Sequence, residues 1–582
     1  MRNFATAFMF LALVLGYVFA PFMVIQAHHL THNWRGKADI GVFGDEAMVV
    51  SAHGIASEIG RDILAKGGNA FDAAIAVNFA LAVVYQQAGN IGGGGFMVFR
   101  LADGATGTLD FREKAPLGAR PDMFLDENGK VVTGKSLNGH LSVGVPGTVA
   151  GMVAIYQRFG SLPWEALISP AIDLARDGFI LSEKAAKMFN RYQKEFATYS
   201  RNASTVINAQ GWQTGDTIQF EDLAKTLERI RDGGRQGFYQ GETARLIIEE
   251  MAAGGGLITQ NDLTEYRVMW RRPIKFTYRG YDIVSMPPPS SGGVALAQLL
   301  ASVEAYDLSS LGHNSAAYMH LLIEAERRAY ADRAVHLGDP DFVRVPIKKL
   351  TDPDYIKARM ADFEPGHKTD SADIATGFAA AIESVETTHF SVADEKGNAV
   401  AITTTLNGNF GSKVIVQGAG FFLNNEMDDF SIKAGHANQF GLLGGHANSI
   451  APAKRMLSSM TPTIISKNGG LFAIIGTPGG ATIITSVFQS ILNMIDFGMS
   501  AQEAVNARKF HSQWQPDIVL FEKGTPDIGD IVGLKRRGHR LVTWPHFKYE
   551  LGRLEIIKRL DNGGFEGAAD WTRGLDDRAV GF

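Results

Sequence analysis

The chain reads as a mixed α/β protein. Stretches with apolar residues at helical spacing, such as 55–66 and 164–177, alternate with short runs of strand-forming residues, such as 387–393 and 399–406. The two strand-like runs flank Asp394-Glu395-Lys396-Gly397-Asn398, a cluster of turn formers, which predicts a hairpin. With 582 residues and 45% hydrophobic content the chain has ample material for a large core. Length alone favours three or four domains.

The elements follow in order. Phe4 to Ala27 is an uncharged, mostly apolar run preceded by Arg2. A signal peptide needs an apolar core of ~7–15 residues, and a membrane span needs ~20. The run is long enough for either. Residues 1–27 are therefore expected to be a signal peptide cut after Ala27 or a retained anchor, and both place the rest outside the cytoplasm. Ala20 is a poor cleavage point because Pro21 follows it. Residues 28–45 are mostly polar and read as a linker. His28, His29 and His32 lie there, but with no cysteine and no carboxylate nearer than Asp39 a solvated segment is expected rather than a metal site.

Ile55 to Lys66 is a predicted helix stopped by Gly67-Gly68. Asn69 then starts a second, apolar through about Val84. Leu109 to Arg112 reads as a strand end. Trp164 to Asp177 and Thr243 to Ala253 are predicted amphipathic helices. Ser315 to Asp332 is another, with Glu324, Glu326, Arg327 and Arg328 expected in solvent. Lys368 to Ala381 is rich in Ala, Asp, Ser and Thr and reads as a surface loop or a mobile leader. After the hairpin, strands are expected at Gly420 to Leu423, Pro462 to Ser466 and Leu471 to Gly476, and helices at Thr482 to Phe497 and Ser500 to Asn506.

Composition excludes several classes. There are 56 basic and 61 acidic residues, a net charge of −5, so nothing suggests nucleic acid. No cysteine is present, which rules out thiol catalysis, disulfides and cysteine-ligated metals. Residues Gly129 to Ser136 fit the P-loop spacing. That motif needs a buried strand before it and a helix after it. Asp126-Glu127-Asn128 precedes it and Leu137-Asn138-Gly139-His140 follows, so a nucleotide site is rejected.

Chemistry concentrates on Glu383-Ser384-Val385-Glu386-Thr387-Thr388-His389-Phe390. A threonine hydroxyl needs an adjacent base to act as a nucleophile. An α-amine titrates near pH ~8 and can serve, whereas an internal amide nitrogen is not basic. Chemistry at Thr387 therefore requires a cut between Glu386 and Thr387. The three residues Thr387-Thr388-His389 alone would equally be a strand start.

The surrounding motifs weigh against that plain reading. They are Gly67-Gly68-Asn69-Ala70, Gly92-Gly93-Gly94-Gly95-Phe96, Asp110 to Pro116, Pro287-Pro288-Pro289-Ser290-Ser291-Gly292-Gly293, Thr405-Leu406-Asn407, Asn424 to Phe430, Leu457-Ser458-Ser459-Met460 and Gly476-Thr477-Pro478-Gly479-Gly480. In this order, from about Asp45 to the C-terminus, they resemble the γ-glutamyltranspeptidases, a family of N-terminal-nucleophile hydrolases.

The resemblance implies a four-layer αββα sandwich. It implies a large piece, 46–386, and a small catalytic piece, 387–582, made by self-cleavage and held as a heterodimer. It implies a γ-glutamyl donor such as glutathione, an amino acid, peptide or water as acceptor, and no metal or organic cofactor. Arg112, Ser458 and Ser459 would take the donor's α-carboxylate. Asn407, Glu426 and Asp429 would take its α-ammonium. Gly479 and Gly480 would stabilise the oxyanion, and Thr405 would orient Thr387. Without the resemblance, Arg112 would read as a structural ion pair with Asp110 or Glu113, and the two acids as a solvated turn. Ala434 to Gly445 looks like the lid of some members, with Phe440 where tyrosine is common, so a looser lid is expected. The run Gly567 to Arg573 departs from the family pattern. Two alternatives stand beside this reading: a glutaryl or β-lactam side-chain acylase of the same fold, and an uncut, silent binding protein.

Overall fold

The computed structural model describes residues 40–374, 387–543, 546, 550–571, 573–574 and 576–582. The expected export segment, His28, His29, His32 and Glu386 lie outside these residues, as does the whole stretch between Ile374 and Thr387. Among the described residues no helix is long and apolar enough to cross a membrane.

Two antiparallel sheets of seven strands each are found among the described residues. The first runs, edge to edge, Arg578–Gly581, Met48–Ser51, Thr388–Ala393, Ala399–Thr405, Gly94–Arg100, Thr106–Asp110 and Met269–Arg271. The second runs Val42–Gly44, Phe565–Ala569, Glu555–Arg559, Gly470–Gly476, Thr463–Lys467, Tyr281–Ser285 and Ile274–Tyr278. Successive strand residues point to opposite faces, and the layers follow from that alternation. Met48, Val50, Phe96 and Val98 of the first sheet meet Val284, Ile464, Ile474 and Ile557 of the second. Their sequence neighbours Val49, Met97 and Phe99 face outward onto the helices Gly54–Ala65, Ala70–Val84 and Trp164–Asp177. On the far side Ile283, Ile465, Ala473 and Ile475 pack on Gly292–Val303, Ala316–His336 and Thr482–Ile495. The result is the expected αββα sandwich.

Local signals explain the helix starts. Asn69 caps Ala70–Val84 by accepting from the Phe71 and Asp72 N–H groups, and Asp72 bonds back to the Asn69 N–H. All fifteen residues of that helix are buried, so its apolar character on every side reflects a layer covered on both faces.

Four expectations are corrected. Residues Gly41–Phe582 form one unit rather than three or four domains, because both sheets draw strands from before and after Thr387. The linker read over 28–45 is too long at its end, since Val42–Gly44 pairs with Phe565–Ala569. Gly420 to Leu423 is not a strand. Its residues meet 412–416 through an isolated Ile415–Phe422 bridge, with Gly418 and Gly420 at positive φ. Glu324, Glu326, Arg327 and Arg328 are buried, not solvated. Arg327 and Arg328 pair with Glu324 at 2.5 and 2.7 Å, and Glu326 accepts from the Ser512 N–H. Their partners come from distant sequence, which helical periodicity does not reveal. The stretch 129–136 forms turns with no helix after it until the short 3₁₀ segment His140–Ser142, in keeping with rejection of the P-loop.

The strand Thr388–Ala393 is buried throughout and pairs on both sides, with Ala399–Thr405 and Met48–Ser51. Thr387, His389 and Ser391 share the face turned to the second sheet. The His389 ring is held by Thr403 Oγ1 at 2.8 Å and Ser391 Oγ at 3.1 Å, and burial pushes its pKa down to about 3. The neutral ring fits because Gly476 lies opposite: a Cβ there would stand 2.2 Å from the ring. Gly476→Ala should therefore lower stability by about 1–3 kcal/mol through overpacking. Equilibrium denaturation of the two proteins measures it, and equal midpoints would show that the sheets can part without loss.

Candidate active site

Thr387 ends one strand just where the paired strand carries Thr405. The two hydroxyl oxygens lie 3.4 Å apart. Thr405 Oγ1 also accepts from the Asn407 N–H at 2.7 Å. The Thr405 carbonyl is pinned by Asn90 Nδ2 at 2.9 Å, and Asn90 Oδ1 accepts from the Gly93 N–H and from Thr148 Oγ1. Asn90 was not among the sequence candidates. Its signal was only its place before the Gly92–Gly95 run. Asn407 takes a positive φ of 76°, which asparagine tolerates better than most residues, and its Nδ2 donates to the Asn425 carbonyl.

These residues open onto a pocket of about 270 Å³, lined by Arg112, Thr387, Thr405, Asn407, Glu426, Asp429, Phe440, Leu442, Ser458, Ser459, Met460, Gly480 and Ile483. Nearly every residue singled out from the sequence meets here. Gly479 lies one residue behind Gly480, and the pair precedes the N-terminus of Thr482–Ile495. Gly479 holds a φ of 142°, and a Cβ on it would stand 2.6 Å from Thr482 Oγ1, so glycine is required. The helix N-terminus adds its positive dipole end to this corner. Leu442, Met460 and Ile483 form the apolar wall and carried no sequence signal beyond hydrophobicity.

Both plain readings of the charged residues are revised. Arg112 does pair with Glu113, at 3.5 Å, and Asp110 accepts from its backbone N–H. Its closer partners are Glu426 at 2.7 Å and Asp429 at 2.5 Å, both from the short 3₁₀ segment Glu426–Asp429. The acids are buried, not solvated. Burial works against the Arg112 charge, but Glu426, Glu113 and Asp429 outweigh it and raise its pKa. Burial pushes Glu113 up to about 7 and raises Glu426 and Asp429, with Arg112 opposing in each case. Three buried acids thus crowd one guanidinium. Glu426 is close enough to Arg112 for an ion pair, yet neither of its oxygens has a well-aligned hydrogen bond. A second cation in this charge field fits that arrangement.

The lid segment is held by other means than a tyrosine. Asn438 Nδ2 donates to Asp429 Oδ1 at 2.9 Å, and the Gln439 N–H donates to Asp428 Oδ2 at 2.8 Å. Phe440 is buried in the pocket wall, and its carbonyl accepts from Gln513 Nε2. In the divergent C-terminal run, Phe565–Ala569 is a sheet strand and Arg573 pairs with Glu522 and Asp570 at 2.6 Å each.

Comparison with known proteins agrees with this geometry. The sequence profile described as gamma-glutamyltranspeptidase matches residues 56–579. The chain is 48% identical over 492 residues to a glutathione hydrolase proenzyme of Pseudomonas sp. strain A14, covering 84% of this chain and 85% of that one. It is 44% identical over 540 residues to the glutathione hydrolase proenzyme of Escherichia coli K12, covering 92% of each. Among solved structures, a cephalosporin acylase from Bacillus halodurans superposes with a TM-score of 0.81 at 25% identity, covering 95% of this chain and 98% of that one. The fold is that of the N-terminal-nucleophile hydrolases, and the chain belongs to the γ-glutamyltranspeptidase family of enzymes.

Proposed function

We propose that this protein is a γ-glutamyl transferase and hydrolase acting on glutathione and related γ-glutamyl compounds, with Thr387 as nucleophile. The observation that carries the reading is the meeting of the Thr387 hydroxyl with a buried, mixed-charge recognition set in one pocket. A γ-glutamyl head is a zwitterion. Arg112, Ser458 and Ser459 take its carboxylate, a guanidinium being the suited partner. Glu426, Asp429 and the Asn407 carboxamide oxygen take its ammonium. Among the described residues, buried Glu426 has no aligned hydrogen bond and only Arg112 as its ion-pair partner, which supports this assignment.

The chain is cut before Thr387 by attack of Thr387 Oγ1 on the Glu386 carbonyl, followed by hydrolysis of the ester. The freed α-amine then serves as the base. Thr387 Oγ1 attacks the γ-carbonyl, and the N–H groups of Gly479 and Gly480 hold the oxyanion. The amine product leaves, and water or an amino acid releases the γ-glutamyl group. Thr405, 3.4 Å from the nucleophile, orients it. The pieces 46–386 and 387–582 remain together, which the shared sheets support. Residues 1–27 direct the enzyme outside the cytoplasm, as a cleaved signal or an anchor.

The acylase reading draws on the likeness to the cephalosporin acylase. A glutaryl group has no ammonium, so Glu426 and Asp429 would have nothing to read.

Thr387→Ala should remain one full-length inactive chain, and Thr387→Ser should still be cut. Denaturing gels with N-terminal sequencing decide this, and activity in an uncut chain would overturn the mechanism.

Asp429→Asn separates the two substrate classes. Asparagine keeps an oxygen for Asn438 but loses the charge. Removing one member of a buried ion pair costs about 3–5 kcal/mol, or on the order of 10²–10³ in kcat/KM. γ-Glutamyl anilide turnover should fall by that factor, while glutaryl anilide turnover falls far less or rises. Equal losses would make Asp429 a partner of Arg112 only, and a wild-type preference for the glutaryl anilide would favour the acylase.

A further inference from the structure

The pocket has a second buried cation, one that the mechanism above does not use. Arg333 lies in the last turn of Ala316–His336 and is 5% exposed. Its Nε donates to Ser291 Oγ at 2.9 Å and its Nη2 to Ser459 Oγ at 3.1 Å. Among the described residues it has no ion pair. Its neighbour Asp332 is engaged elsewhere, by Gln298, Tyr355 and Arg359. Burial pushes the Arg333 pKa down to about 10, so the group stays charged near neutrality.

A guanidinium donates hydrogen bonds and accepts none. Both serine oxygens must therefore accept from Arg333, and each serine proton is turned elsewhere. The Ser291 proton goes to the Ser458 carbonyl at 2.7 Å. Ser459 lines the pocket, so its proton is available to a group bound there. The frame around it is fixed. The Ser291 N–H also donates to the Ser458 carbonyl, the Ser458 N–H to the Pro289 carbonyl, and Ser290 Oγ to the Met460 carbonyl. This gives the Pro287–Gly293 run a physical role that its sequence did not disclose.

We propose that Arg333 is a positioning residue for donors that carry a carboxylate at the α-position. It orients the Ser459 hydroxyl as a donor and places an unpaired positive charge behind it, without touching the substrate. Arg112, already shared among Glu426, Asp429 and Glu113, then need not supply the whole attraction. The proposal rests on the γ-glutamyl reading of the pocket.

Three anilides test it: γ-glutamyl (carboxylate and ammonium), glutaryl (carboxylate only) and 4-aminobutyryl (ammonium only). In Arg333→Gln, KM for the first two should rise roughly 10- to 100-fold, the range for a hydrogen bond to a charged group. Turnover of the third should change little, and kcat should change less than KM throughout. Arg333→Lys should recover part of the loss. Ser459→Ala should reproduce it, and the double variant should lose little more than the larger single one, because the two act as one unit. Cleavage before Thr387 should persist and certify the fold. An equal loss on all three donors would overturn the proposal, as would a fall in kcat alone or additive losses. If Arg333→Gln fails to mature, Ser459→Ala decides, since an unchanged response to the carboxylate-bearing donors removes the idea. Wild-type use of γ-glutamyl anilide reports separately on the functional reading. Were glutaryl anilide used and γ-glutamyl anilide not, that reading would fail, and the rise in glutaryl KM on Arg333→Gln would still test Arg333.

Discussion

The structure depends on one strand being central. Thr388–Ala393 is hydrogen-bonded on both edges, to Met48–Ser51 and to Ala399–Thr405, and covered on both faces. A strand so placed has little freedom of register, because a slip of one residue would turn every side chain to the wrong layer. Thr387 inherits that rigidity at its N-terminal end. The same register puts Thr405 opposite it and aims both toward the second sheet, whose strand Gly470–Gly476 runs into Gly479 and Gly480. Thr387, Thr405 and the Gly479-Gly480 corner thus meet because three strands end at one rim of the sandwich. A cut before Thr387 leaves this arrangement standing, since both edges of the strand remain paired.

The pocket's second constraint is electrical. Arg112, Glu113, Glu426 and Asp429 are all buried, and buried charges persist only when paired. The set is poised on the negative side around Arg112, while Arg333 stands unpaired behind Ser459. The acids line the cavity itself, whereas Arg333 reaches it through Ser459. That separation is the electrical complement of a zwitterion. A ligand with only one charge satisfies one excess of charge and leaves the other as it was, which is why substrates lacking one group are the informative probes.

Much of this was legible in the sequence, for identifiable reasons. Thr387, which lines the pocket, was singled out because a threonine nucleophile demands a free amine, a requirement that does not depend on the fold. The helices Ala70–Val84 and Trp164–Asp177 could be placed because caps and periodicity are local. Ala316–His336 was misjudged because its charges looked like a solvent face, and their burial depends on Thr369, Ser512 and Ser291, each far away in sequence. Arg333 was missed for the same reason. Asn90 was missed because an asparagine that organises backbone has no pattern of its own. The Gly420 to Leu423 stretch looked like a strand because its short apolar run was visible while the positive φ of Gly418 and Gly420 was not.

The lid shows how a local substitution is absorbed by its surroundings. Phe440 offers no side-chain hydroxyl, yet the segment is tied down through Asn438 and Gln439. The tie matters because of where it ends. Asp429 gives one oxygen to Arg112 and the other to Asn438. On the proposed reading Asp429 also meets the substrate ammonium, so an arriving donor must share or displace one of those bonds. Displacing Arg112 would break a buried ion pair, whereas displacing Asn438 exchanges one neutral amide donor for a charged one. The second exchange is the less costly, because charge-assisted hydrogen bonds are the stronger kind. On that reading, occupancy of the ammonium site and the hold on residues 434–445 are coupled through a single carboxylate.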